Sequence, residues 1–121
     1  MIRKTAVLFF ALFAIISANA QDKKYKVHTV AFYNLENLFD TINDPKINDE
    51  EYLPSSSSHW TLAKYKQKLN NLARVISQLG VSDKNANCPT VLGVAEIENR
   101  RVLEDLIKQP ELVGKDYGIV H

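Results

Sequence analysis

The apolar residues fall into short stretches of differing period, separated by polar segments. Residues 6–16 form an unbroken apolar run of eleven. Residues 26–33 (KVHTVAFY) are β-branched and aromatic, with apolar side chains on both alternating faces, which predicts a strand buried between layers and ending at Asn34. Residues 40–58 are polar, with Pro45, Pro54 and four consecutive serines, and predict a long exposed loop. Leu62, Tyr65, Leu69, Leu72, Ile76 and Leu79 then recur at steps of three and four. They predict a helix with one apolar face, capped by Thr61 and closed by Gly80. Fewer than three heptads is too short for a coiled coil.

After a polar turn at 82–87, Pro89 leads into a second strand over 90–95 that breaks at Glu96. Asn99 is placed to cap a second helix whose inner stripe is Val102, Leu103, Leu106 and Ile107, with Pro110 and Gly114 ending it. Residues 117–120 read as the start of a third strand. The order strand, helix, strand, helix, strand indicates an α/β or α+β layered domain with no internal repeat. Such a set leaves an edge and a sheet face uncovered, and predicts the N-terminal part of a longer domain.

The first apolar run changes what counts as the domain. Arg3 and Lys4 precede it and Ala18-Asn19-Ala20 follows it, the three parts of a cleavable secretory signal peptide over residues 1–20. Eleven apolar residues are too few to span a bilayer as a helix, which takes about 20. The reading therefore predicts an exported chain, secreted or periplasmic, whose domain is residues 21–121. No membrane span would remain after cleavage. The nearest cysteine is far from the cut, which argues against a lipid anchor.

Loss of Arg3 and Lys4 leaves thirteen basic against fourteen acidic residues, about −1. So balanced a chain has no overall electrostatic footprint for non-specific nucleic-acid binding, although a local basic cleft is compatible with it. Cys88 is the single cysteine, which excludes an internal disulfide and suits a buried structural role.

The polar residues that interrupt the two strands are the candidates for chemistry. The first strand ends in Asn34-Leu35-Glu36-Asn37 and the second in Glu96-Ile97-Glu98-Asn99. If the intervening helix is a crossover, the strands are parallel and adjacent, and their carboxyl ends share the edge where α/β folds place their sites. Asn34, Glu36 and Glu96 would then be neighbours. Carboxylate and amide oxygens without histidine or cysteine suit Mg²⁺, Mn²⁺ or Ca²⁺ rather than Zn²⁺. The plainer alternative is that Asn34 and Glu96 cap the segments that follow them.

AFYNLENLFD at 31–40 and VLGVAEIENRRVLEDL at 91–106 resemble the opening motifs of the endonuclease/exonuclease/phosphatase family. They are most similar to its secreted bacterial branch with an NLENLFD opening. The helix between them, with Trp60, Lys64, Tyr65, Lys68 and Leu69, and the terminal DYGIVH are similar to that branch as well. The resemblance implies a DNase I-like four-layer α/β/β/α sandwich, of which residues 21–121 would be the N-terminal portion. It implies a Mg²⁺-dependent phosphoesterase acting on a phosphodiester substrate, with nucleic acid among the candidates. On the matching positions, Glu96 is a catalytic and metal-binding glutamate, and Asn34 an asparagine that orients metal and phosphate. Glu36 falls where some members carry a second acidic metal-associated residue.

The family's aspartate-histidine pair and its phosphate-binding residues belong to later motifs, so the chain alone is expected to be inactive; separately, it is expected to be a monomer. His28, His59 and His121 read as strand, loop and strand-end residues, not as that base. Asp49-Glu50-Glu51 reads as a solvated charge run and Lys64, Lys66 and Lys68 as the wet side of a helix. Arg100 and Arg101 read as phosphate contacts or as surface residues. Besides a nuclease or phosphodiesterase, the sequence leaves open a phosphatase or phospholipase-like member, and a non-catalytic fragment of the fold.

Overall fold

The computed structural model describes residues 25–121, so the segment read as a signal peptide lies outside the described residues. Two strands and two helices alternate: β1 (Val30–Leu38), α1 (Leu62–Gln78), β2 (Val91–Ile97) and α2 (Arg100–Ile107). Single 3₁₀ turns lie at Glu50–Tyr52 and Val113–Lys115. β1 and β2 pair in parallel, from Val30↔Val91 to Asn34↔Ala95, with α1 in the connection between them. The α/β reading holds.

α1 forms where the three-four spacing puts it. Thr61 is extended and its side chain accepts from the Lys64 N–H, while Gly80 ends the helix at φ 72°. A side chain at Gly80 would run into the Thr29 side chain, so both the conformation and the space require glycine. Tyr65, Leu69, Leu72, Ala73 and Ile76 are buried, whereas Leu62, expected on the inner face, is 53% exposed at the first turn. In α2 the Asn99 side chain accepts from the Val102 N–H, and Val102, Leu103 and Leu106 are buried. Both helical stripes join Leu35, Leu38 and Leu112 in one core, against which Tyr33, Leu92, Val94 and Ile97 pack. The opposite sheet face is bare: Val30, Phe32 and Val91 are 75%, 72% and 56% exposed.

The limits of both strands differ from expectation, and a third strand is absent among the described residues. β1 begins four residues later than the sequence reading placed it and runs through Asn34 to Leu38. It starts where its partner starts, since β2 opens at Val91, and it re-enters the ladder at Leu38↔Ile97 beyond an irregularity. Residues 117–120 do not form a third strand. The chain leaves the second 3₁₀ turn through a left-handed Asp116 (φ 57°). Tyr117 and Ile119 then pack on the core while Val120 faces out, a strand-like alternation without a ladder.

The loop between Leu38 and α1 is ordered by local bonds. The Ile42 N–H donates to Asp40 Oδ1 (2.6 Å) and the Lys46 N–H to Asp44 Oδ1 (3.0 Å), two side-chain turns of the kind aspartate favours. Phe39 stacks on Tyr52 at 4.1 Å, and Tyr52 meets Trp60 edge-on at 6.3 Å. Asp49 corrects the charge-run reading. It is 1% exposed, and its Oδ2 accepts from the Asp44 N–H (2.8 Å), while Glu50 and Glu51 stay outside. Cys88 is buried under the Tyr117 hydroxyl, which donates to the Pro89 carbonyl and stands 3.3 Å from the Cys88 sulfur.

Candidate functional site at the carboxyl end of the sheet

Strict alternation would bury the wrong residues at the ends of both strands. Leu92 and Val94 face the core, so a regular β2 would turn Glu96 inward and Ile97 outward. Glu96 instead takes the left-handed conformation (φ 58°), which leaves its side chain exposed and returns Ile97 to the core. β1 breaks at the same level. From Asn34 to Leu38 it advances four residues while β2 advances two, from Ala95 to Ile97. The surplus is taken up at Glu36 (φ 52°) and Asn37 (φ 56°), both left-handed and exposed, between the fully buried Leu35 and Leu38. Left-handed backbone costs a non-glycine residue about 1–2 kcal/mol, with asparagine tolerating it best. Three such residues at one sheet edge mark a place where conformation is held against local preference, as functional sites often are.

These breaks bring Asn34, Glu36 and Glu96 to the carboxyl end of two adjacent parallel strands, as their place in the sequence implied. Asn34 Oδ1 accepts from the Glu36 N–H at 2.7 Å, which fixes the amide's orientation and leaves Nδ2 free to donate. Glu98, two residues beyond Glu96, turns the other way. Its Oε2 accepts from the Asp40 N–H (2.8 Å), its backbone N–H donates to Leu38 O (3.1 Å), and burial pushes its carboxyl above the usual range.

Lys68, read from the sequence as part of the wet side of its helix, belongs to the site. Its ammonium donates to the carbonyls of Glu36 and Asn37, the latter at 3.0 Å, and lies 5.6 Å from the centre of the Trp60 ring. Burial pushes the ammonium below its ordinary value, and the carboxylates of Glu36 and Glu96 pull it back up. The sequence carried a faint signal of this. Lys68 stands three residues after Tyr65 and four before Leu72, on the margin of the apolar stripe, where a lysine stem can bury and its head reach out. Lys64, one turn earlier, donates to the Ser58 carbonyl at 2.8 Å.

The other candidates fall elsewhere. Arg101 holds the buried Asp40 (2.9 Å from Nη2 to Oδ2), and Arg100 pairs with Glu104 (3.0 Å) on the surface. His28 meets the Thr90 hydroxyl at 3.0 Å, at the amino end of the sheet and so away from the glutamates. His59 is an exposed, left-handed loop residue (φ 46°), and His121 ends the unpaired extended segment.

The donor set can be tested against a divalent cation. Among the described residues no group of three or more His, Cys, Asp or Glu side chains is arranged to hold a metal, so the edge is not a closed cage. Two exposed carboxylates and an amide at one sheet edge are instead the hard, open donor set of Mg²⁺, which typically takes one or two carboxylates and keeps water or phosphate in its other positions.

A parallel α/β layer with hard oxygen donors at the carboxyl ends of its strands defines an α/β protein with an open, oxygen-lined edge site. The sequence profile of the endonuclease/exonuclease/phosphatase family matches residues 29–121, most of the chain, and the protein belongs to that family. Its small parallel sheet and two helices are consistent with part of a DNase I-like fold. Members of the family are generally hydrolytic phosphoesterases that depend on divalent metal. No curated protein and no solved structure matches the chain.

Proposed function

We propose that the protein is an exported, Mg²⁺-dependent phosphodiesterase or nuclease, and that Glu96, Glu36 and Asn34 form its metal-binding edge. The observation that carries this reading is the matched left-handed break in β1 and β2, which turns a glutamate outward from each strand at the same level. Export rests on the signal-like residues 1–20, and no helix of the described residues is long and apolar enough to cross a membrane.

In this reading Glu96 and Glu36 hold the cation from the two strand ends. Asn34 donates its free amide N–H to a phosphate oxygen while its carbonyl stays tied to the Glu36 backbone. A bound divalent ion would supply neutralisation of the charge that builds on the phosphate oxygens. Lys68 keeps a positive charge beside the two carboxylates, which offsets their mutual repulsion before any cation binds. The proton acceptor for the attacking water is assigned to none of the three described histidines. His28 is tied to Thr90 at the far end of the sheet, and His59 and His121 have no orienting acid.

The test is hydrolysis of plasmid DNA, a chromogenic phosphodiester and a phosphomonoester, with Mg²⁺ and with chelator. In a form that also carries the family's later motifs, diester cleavage that requires the ion and disappears in Glu96→Gln is expected. Turnover that survives Glu96→Gln would remove the metal assignment, and cleavage of the monoester alone would make the protein a phosphatase.

A further inference from the structure

We propose that Lys68 is the positioning residue of this site: by clamping the carbonyls of Glu36 and Asn37 it holds the bulge that sets Glu36 beside Glu96. The inference rests on the reading above only in taking Glu36 and Glu96 as ligands of a divalent cation.

Between Asn34 and Leu38 the ladder with β2 skips, and the residues in the gap are the two left-handed ones. Those are the two carbonyls that Lys68 takes. Asn34 secures the bulge from the donor side, by accepting the Glu36 N–H. Lys68 secures it from the acceptor side. Its own placement is firm. It stands in the middle of α1, next to the buried Leu69, with its head over the Trp60 ring. The Trp60 indole is itself anchored to the Phe39 carbonyl at 3.1 Å, so the clamp joins helix, loop and strand end.

Two ordinary roles for a lysine do not fit. It is not a freely solvated side chain, since it is partly buried and two of its three donors are used on carbonyls. Nor does it form an ion pair: the ionic contacts among the described residues are Arg100–Glu104 and Arg101–Asp40.

Charge and geometry make opposite predictions for its removal. A cation beside two carboxylates repels an incoming divalent ion, so on charge alone loss of Lys68 tightens metal binding. If Lys68 is a clamp, its loss frees Glu36 to leave the productive arrangement, and binding weakens. Outer partners of metal ligands are typically worth about 10–100-fold in affinity. The sign of the change therefore decides.

Mn²⁺ binding, followed by the spin-resonance signal of the free ion, is compared in the wild-type protein and in Lys68→Met, Lys68→Arg and Glu96→Gln. Methionine keeps the stem over Trp60 but has no charge and no donors. Arginine keeps both. Lys68→Met is expected to weaken Mn²⁺ binding by about tenfold or more and to speed amide exchange across residues 36–38. Lys68→Arg is expected to restore most of the affinity. Equal or tighter binding in Lys68→Met, with unchanged exchange at 36–38, overturns the proposal. Glu96→Gln tests the separate reading: if it binds Mn²⁺ like wild type, the metal assignment falls, and the exchange measurement still decides the clamp. Should Lys68→Met not fold, Lys68→Leu, likewise without charge or donors, takes its place and is held to the same two outcomes.

Discussion

Arg101→Met removes the only cation among the described residues that contacts Asp40, a carboxylate 5% exposed. Asp40 keeps the Ile42 N–H on its Oδ1 (2.6 Å), but its Oδ2 loses both the Nε and Nη2 contacts, at 3.1 and 2.9 Å. Asp40 and Asp49 are neighbours that raise the Glu98 carboxyl, and Arg101 works against them. Removing one partner of a fully buried ion pair costs about 3–5 kcal/mol, whereas an exposed pair contributes about 0–1 kcal/mol. Here one end is buried and the other is 52% exposed, so the loss should lie between these limits, at about 2 kcal/mol. The assay is urea unfolding at neutral pH and moderate salt, with Arg100→Met as the internal control. Arg100 pairs with Glu104 at 51% and 43% exposure, and its loss should cost no more than about 0.5 kcal/mol. Adding Glu98→Gln to Arg101→Met should recover part of the stability, because it removes a negative charge that Arg101 had balanced. If Arg101→Met unfolds at the same urea concentration as Arg100→Met, Asp40 is not held by this pair and the reasoning fails.

Asn99→Ala deletes the side-chain acceptor of the Val102 N–H and should cost about 1 kcal/mol in the same unfolding assay. Leu35→Ala empties a fully buried position beside the bulge and should cost about 2–5 kcal/mol, read as a lower melting temperature. Burial first, and then hydrogen bonds to Asp105 and Cys88, raise the phenols of Tyr65 and Tyr117 above the ordinary value of 10.0. The folded state therefore keeps protons that the unfolded chain releases. That contribution to stability is whole below pH 10.0 and is lost as the pH rises above it, so melting temperature should fall in that range and fall less steeply in Tyr65→Phe.

The helices were legible because each is set by its own residues: the three-four stripe from Tyr65 to Ile76, the Thr61 and Asn99 caps, and Gly80. The strands were legible as apolar runs, but their limits depend on the partner, which is why β1 starts at Val30 and not at Lys26. Position along the chain was enough to bring Asn34, Glu36 and Glu96 to one edge, given parallel strands. It could not show that three residues there would be left-handed, because those conformations follow from the need to return Leu38 and Ile97 to the core. Lys68 and Asp49 were misjudged for a common reason. Charge predicts solvation on average, whereas the Glu36 and Asn37 carbonyls at a bulge and a backbone N–H inside a loop each drew a charged side chain inward.

Trp60 is the chain's single tryptophan, and its place gives the protein an optical reporter that no label could improve. Its indole N–H is fixed to the Phe39 carbonyl, its ring edge meets Tyr52, and the Lys68 ammonium stands over its face. Whatever pulls that ammonium away, whether an ion drawing Glu36 toward itself or a phosphate arriving at the strand ends, changes the field on the one strong fluorophore. Emission in native protein would then follow occupancy of the edge and the order of the preceding loop in a single trace.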